Sequence, residues 1–212
     1  GTTQLSGALA TGGRQTYHDD VVLLTDTVLT SSDDIAFNGS VNSQNNVLRR
    51  SLTIDTAGTT SFGDGVGDDR VGAAGRLETL AIGAGGTTRL RAGSITTEGT
   101  QTYGDAVVLG SDTTLTSAGL SDIMFSSTVN GDFALAVTSN GVTTFSGAVG
   151  ESVRLSSLSL RRARLAGGLI GTSGNQDYNG TLELSADATL DAGGGNITFS
   201  DTVNGPFALT AN

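Results

Sequence analysis

The apolar positions of this chain follow one short rule. A large apolar residue is followed four positions later by an aliphatic one, with mostly small or polar residues between. The pairs are Leu5/Leu9, Tyr17/Val21, Phe37/Val41, Phe62/Val66, Tyr103/Val107, Phe125/Val129, Phe145/Val149, Leu165/Leu169, Tyr178/Leu182 and Phe199/Val203, with Leu90 and Ile95 as a stretched version. Between them lie alternating segments such as Val107-Val108-Leu109, Leu135-Ala136-Val137, Leu158-Ser159-Leu160 and Leu182-Glu183-Leu184. A two-residue period over a few positions, bounded by Gly, Asn, Asp and Ser, predicts short strands. No segment sustains a 3.6-residue apolar period, and frequent Gly and β-branched residues argue further against helix.

The leading residues of these pairs advance mostly by 20 to 28 positions, with shorter steps of 12 or 13. About 20 residues is one coil of a β-solenoid, in which each coil gives one short strand to each of two or three parallel sheets. The short steps predict either a narrow coil or two faces of one coil. On a larger scale the pattern recurs every 75 to 86 residues: Gln15-Thr16-Tyr17 returns as Gln101-Thr102-Tyr103 and as Gln176-Asp177-Tyr178. Phe37-Asn38-Gly39-Ser40-Val41-Asn42 returns as Phe125 to Gly131 and as Phe199 to Gly205. Long repeats over about 1–85, 86–160 and 161–212, of three or four coils each, follow. The expected fold is therefore all-β, a parallel β-solenoid of about 8–11 coils with no substantial helix, forming one domain over 1–212. Tyr17, Phe37, Phe62, Tyr103, Phe125, Phe145, Tyr178 and Phe199 should form its core columns. Asn130-Gly131 and Asn204-Gly205 should form turns, since both residue types tolerate positive φ. The first repeat carries extra residues around Asn45-Asn46 and around Asp68-Asp69-Arg70, which should leave the stack as loops.

Composition sharpens this picture. With 32 Gly, no Trp and only 3 Tyr and 7 Phe, a broad globular core would be hard to fill, whereas a thin column is not. A net charge of −10 with every basic residue an Arg repels phosphate backbones, which argues against nucleic acid as a partner. The absence of Cys removes disulfides and thiolate metal sites. No run of 18 apolar residues is present, so no segment is expected to insert in a membrane. The chain opens at Gly1-Thr2-Thr3, in phase with Gly86-Thr87-Thr88, and stops at Asn212 inside a repeat, which reads as an excerpt of a longer chain.

Candidate chemistry is thin. His18 is the single histidine and stands where Gly104 and Asn179 stand in later copies, so a surface turn is the simpler reading. The adjacent pairs Asp19-Asp20, Asp33-Asp34 and Asp68-Asp69 would suit a cation or a hydrolytic centre. Only single members recur, however: Asp20 with Asp105, Asp34 with Asp122, and Asp26 with Asp112 and Asp187. Recurrent Asp before a strand is what turn hydrogen bonding produces. Calcium is the metal that a loop site at Asp68 and Asp69 would take; no other cofactor and no catalytic residue is expected. The Arg clusters Arg49-Arg50 and Arg161-Arg162 with Arg164 suggest an anion or partner site, or charge balance. The Thr pairs Thr2-Thr3, Thr59-Thr60, Thr87-Thr88 and Thr143-Thr144 raise ice binding, but adjacent residues of a strand face opposite ways.

The unit Gln101 to Leu109, followed by Asp122 to Gly131 and by Thr143 to Gly150, resembles the repeats of giant bacterial surface proteins, the filamentous-haemagglutinin-like and related β-strand-repeat adhesins. The resemblance covers essentially the whole chain. It implies an exported right-handed parallel β-helix, the structural shaft of a secreted or cell-surface adhesin or of an extracellular fibre. It transfers no functional residue to any position. The partners expected on this reading are flanking repeats or other copies of the chain, end to end, and host or neighbouring-cell surface glycans. The rival reading is a glycan-binding or glycan-cleaving solenoid, such as a phage tailspike or polysaccharide lyase, with a groove beside the two insertions.

Overall fold

A computed structural model of the chain describes residues 1–67 and 69–212 and consists of strands and turns, with no helix among the described residues. Its strands pair in parallel and wind into a β-solenoid of about ten coils. Each coil has three sides. In coil 5 they are Ser94–Thr97 on the first face, Gln101–Tyr103 on the second and Ala106–Leu109 on the third. In coils 1 and 2 a single long strand, Thr2–Thr11 or Asp20–Ser31, covers the first two faces, with a register shift between Leu5 and Gly7.

Each face stacks its inward residues into a ladder. On the first face the ladder runs Val21, Val41, Val71, Ile95, Leu115, Val137, Leu160, Tyr178, Phe199. On the second it runs Leu9, Leu29, Ile54, Ile82, Tyr103, Phe125, Phe145, Leu165, Leu184. On the third it runs Gln15, Ile35, Thr60, Thr88, Val107, Val129, Val149, Ile170, Leu190, Ala211. The three ladders meet in one continuous core. Each apolar side chain is shielded by the coils above and below, at roughly 25 cal/mol per Å² removed from water. At about 4.8 Å per coil the stack is roughly 45 Å long.

The eight aromatic residues expected in the core columns do not share a common column. Tyr17, Phe37 and Phe62 stack on the third face at ring separations of 5.2 and 5.3 Å. Tyr103, Phe125 and Phe145 stack on the second at 5.0 and 4.9 Å. Tyr178 and Phe199 stack on the first at 5.2 Å. Tyr17 and Phe199 are only partly buried because they lie in the first and last coils.

The placement of the Gln-x-Tyr motif explains this. Counting strand positions along the chain, three to a coil, Gln15–Tyr17 is the third, Gln101–Tyr103 the fourteenth and Gln176–Tyr178 the twenty-fifth. The long repeat is therefore eleven strand positions, one short of four coils. Three of its apolar steps span a whole coil. The fourth, the step of 12 or 13 residues, spans only two faces. Each copy of the repeat is turned by one face relative to the copy before it. The expectation of three or four coils per repeat is thus corrected to three and two-thirds. Every face is lined by the same kind of inward residue, so a motif can precess from face to face without disturbing the core.

Other expectations shift at single residues. Val66 is 77% exposed on the loop after Phe62, and Val71 takes the inward position instead. Leu169 is half-buried while its neighbour Ile170 points inward. Asn130 and Asn204 are not positive-φ turn residues: each ends a two-residue strand, Val129–Asn130 and Val203–Asn204, and no described residue other than Gly has positive φ. The corner conformation belongs to Gly131 and Gly205, with φ of 135° and 131°, a region that side chains rarely enter. A Cβ on Gly131 would also lie 2.6 Å from the Leu109 carbonyl oxygen of the coil beneath.

Candidate functional site

The recurrent carboxylates are structural pegs between coils. The Asp20 Oδ1 accepts the Ser40 N–H at 2.9 Å, and that of Asp26 the Ser51 N–H at 3.0 Å. Asp34 accepts Thr59 N–H, Asp112 accepts Ala134 N–H, Asp122 accepts Val142 N–H and Asp187 accepts Ala208 N–H, each at 2.7 to 2.9 Å. Asn residues do the same: Asn130 Oδ1 takes the Ser152 and Val153 N–H groups, Asn175 takes Asn196, and Asn42 takes Ala74 and Gly75. In every one of these pairs the acceptor lies on one coil and the donor on the next coil toward the C-terminus. Asp105 is the exception. It is 2% exposed and turns back to coil 4, accepting Gly86 N–H at 2.7 Å and the Thr88 hydroxyl at 3.4 Å. Burial raises its carboxyl pKa above the usual range, against the lowering effect of those hydrogen bonds.

The candidate cation loop has a similar internal use. Asp68 lies outside the described residues. Asp69 is 6% exposed, and its Oδ2 accepts N–H groups from Asp64 and Gly65, both at 3.1 Å, which closes the loop on itself. Burial, the largest influence on it, raises its carboxyl pKa. Asp64 Oδ1 is occupied by the Val66 N–H at 2.8 Å. Among the described residues no group of three His, Cys, Asp or Glu side chains is placed to hold a metal ion, and no pocket is found. His18 is exposed, with Nδ1 3.2 Å from the Asn38 side-chain amide nitrogen.

The paired arginines of the sequence clusters go to different partners. Arg49 and Arg76 converge on the Glu98 carboxylate at 3.4 and 3.2 Å, tying the first insertion to coils 4 and 5. Arg164 meets Glu183 at 2.9 Å on the neighbouring coil, and Arg161 donates to Asn140. Arg154 meets Asp191 at 2.5 Å and also donates to the Thr172 and Asp191 carbonyls. The Arg154 hydrogen bond holds the Asp191 carboxyl below its usual range. Half-exposed pairs of this kind contribute little stability singly. The Thr pairs divide between the two sides of their strands: Thr60, Thr88 and Thr143 face the core, and Thr59, Thr87 and Thr144 face outward.

Two recurrent devices go beyond the Gln-x-Tyr repeat as the sequence showed it. The first is Thr-x-Gly-x-Gln-x-Tyr, at Thr11 to Tyr17, Thr97 to Tyr103 and Thr172 to Tyr178. In each copy the Thr hydroxyl donates to the Gly carbonyl two residues on, and the Tyr hydroxyl donates to the Gln Oε1. The Gln Nε2 binds the Thr hydroxyl and a carbonyl two strand positions further along the chain: Thr30, Thr116 or Asp191. Burial pushes all three Tyr hydroxyls to higher pKa. The second is Val-Gly-x-x-x-Arg-Leu, at Val71 to Leu77 and Val149 to Leu155. Its Gly has φ of 75° or 70°, which turns the chain out of the core; its Arg anchors to later coils, and its Leu returns inward. Both motifs were legible as recurrences eleven strand positions apart.

Compared with protein-family models, with curated proteins and with solved structures, the chain has no match.

Proposed function

We propose that this chain is the shaft of a secreted or cell-surface bacterial adhesin or extracellular fibre: a stiff, acidic, non-enzymatic spacer. The observation that carries this reading is the unbroken three-faced ladder with one core from the first coil to the last. Much of its side-chain chemistry is spent on joining coil to coil: the Asp and Asn pegs bridge neighbouring coils, and Arg49 and Arg154 reach across two. A shaft needs that connectivity along its axis, because a pull on one end is carried coil by coil to the other.

Electron microscopy and small-angle scattering of the purified chain test the proposal. Stiff rods roughly 45 Å long support it, as do unchanged rods after chelation and intact acidic and neutral polysaccharides after prolonged incubation. Release of oligosaccharides, or a globular scattering profile, would overturn it.

A further inference from the structure

Charge is spread unevenly around the rod. The corner between the first and second faces consists of residues 44–51 in coil 3, 72–79 in coil 4, 98–100 in coil 5, 118–122 in coil 6, 140–142 in coil 7 and 161–162 in coil 8. It holds five arginines, Arg49, Arg50, Arg76, Arg161 and Arg162, against three carboxylates, Glu78, Glu98 and Asp122. Chain totals of 11 Arg and 21 Asp plus Glu leave six and eighteen for the rest of the molecule. A strip of net charge +2 therefore runs along a chain of net charge −10.

Within the strip the arginines are incompletely neutralised. Arg49 and Arg76 share the single Glu98 carboxylate, at 3.4 and 3.2 Å, which leaves one positive charge over. Arg161 donates to the neutral Asn140 amide oxygen. The side chains of Arg50 and Arg162 have no hydrogen bond or ion pair among the described residues. The backbone beneath the first group is pinned: the Ser43 hydroxyl accepts Arg50 N–H at 2.8 Å, and Asn46 Oδ1 accepts Arg76 N–H at 2.9 Å. A pinned backbone lowers the ordering cost of binding. Aliphatic tips stand on the same corner, Val47 at 86% and Leu120 at 87% exposure.

Shape narrows the ligand. The corner is convex and no pocket is found among the described residues, so nothing there encloses a small molecule, whereas a polymer can lie along the axis. From Glu98 in coil 5, held by Arg49 and Arg76, to Arg161 and Arg162 in coil 8 is three coils, about 14 Å. Uncharged Leu120 and Gly141 lie between. Duplex nucleic acid, with one charge per roughly 1.7 Å, would set most of its phosphates opposite no cation. A chain with charges at wider intervals fits. Guanidinium forks match carboxylates, a pairing that Glu98 already displays. The coil rise of about 4.8 Å is also close to the length of one sugar ring in an extended chain. We propose that this corner binds an acidic polysaccharide lengthwise through its carboxylates, with the aliphatic tips against the C–H faces of the sugar rings. This rests on the shaft reading and gives the shaft a lateral grip on a glycan that it does not cleave.

Calorimetry of the full chain tests the proposal with three polymers: polygalacturonate, its fully methyl-esterified form, in which every carboxylate is masked, and poly-glutamate. Polygalacturonate should bind, the ester should bind at least about tenfold more weakly, and added salt should weaken binding further. The double change Arg161→Gln, Arg162→Gln alters two exposed side chains and should cost at least about fivefold in affinity. Arg14→Gln, an equally exposed change on another corner, should leave affinity unaltered. Thermal melts check that both variants fold. Absence of binding, equal binding of the ester, or no loss in the double variant would sink the proposal. Poly-glutamate binding as tightly as polygalacturonate would overturn the assignment to a sugar chain. None of these outcomes touches the shaft reading, which fails instead on a globular scattering profile or on release of oligosaccharides.

Discussion

Thr60 and Thr143 hold equivalent positions in successive repeats, face the core, and bring hydroxyl groups that find no hydrogen-bond partner. A buried unsatisfied hydroxyl costs about 1–3 kcal/mol. Thr143→Val keeps the shape and removes the group, so it should stabilise the chain by about 1 kcal/mol in urea titration, and Thr60→Val should do the same. Asp105 gives a pH signature. Its folded carboxyl pKa is raised by burial, so the folded state holds that proton more tightly than the unfolded chain does. The stability linked to it is fully present below the unfolded value and declines as pH rises through the folded one. Asp105→Asn should therefore improve, relative to the parent, between pH 3 and pH 7, read from urea midpoints at both. Asp191, lowered by Arg154, has the opposite sign: its contribution is present above the unfolded value and fades in acid. Arg154→Ala should flatten that acid limb.

At the level of the strand, the Gln–Tyr clamp is the most demanding element, because it puts an amide and a phenol inside an apolar column. Tyr103→Phe leaves the Gln101 Oε1 without its 2.9 Å donor and should cost roughly 1–3 kcal/mol. The same change at the half-buried Tyr17 should cost less, since water reaches that coil. Gly131→Ala should cost roughly 1–3 kcal/mol from backbone strain alone, measured as a lower urea midpoint. Strands were easy to read because inward residues alternate with outward ones. The corners were harder. Asn130 recurs before Gly131 and so resembles half of a positive-φ pair, but its role is to accept N–H groups from the coil beyond. Val66 has the right spacing from Phe62 and fails because the inserted loop carries it into solvent. Spacing locates inward residues only where the corner has standard length.

For the whole molecule, the incommensurate repeat is the property that a sequence comparison conceals. Aligning Tyr17, Tyr103 and Tyr178 shows that they are equivalent but says nothing about direction, because direction depends on how many strands fill a coil. The step of 12 or 13 residues was the available clue, since it is one strand shorter than the rest. Removing residues 101–175 deletes one whole repeat and joins Thr100 to Gln176. Every later strand moves by one face yet keeps neighbours of the right kind. That variant should fold cooperatively into a rod shorter by roughly 18 Å in scattering, whereas a misfolded product would show that faces are not interchangeable. The pegs add an arrow to this rod. Asp20, Asp26, Asp34, Asp112, Asp122 and Asp187 all offer oxygen toward the C-terminal side. A finished coil therefore displays a set of acceptors at the positions where the next coil must lay down its amides, while the opposite end offers no such set. The rod is thereby polar along its axis, with side-chain acceptors aimed one way and the backbone donors they hold aimed the other.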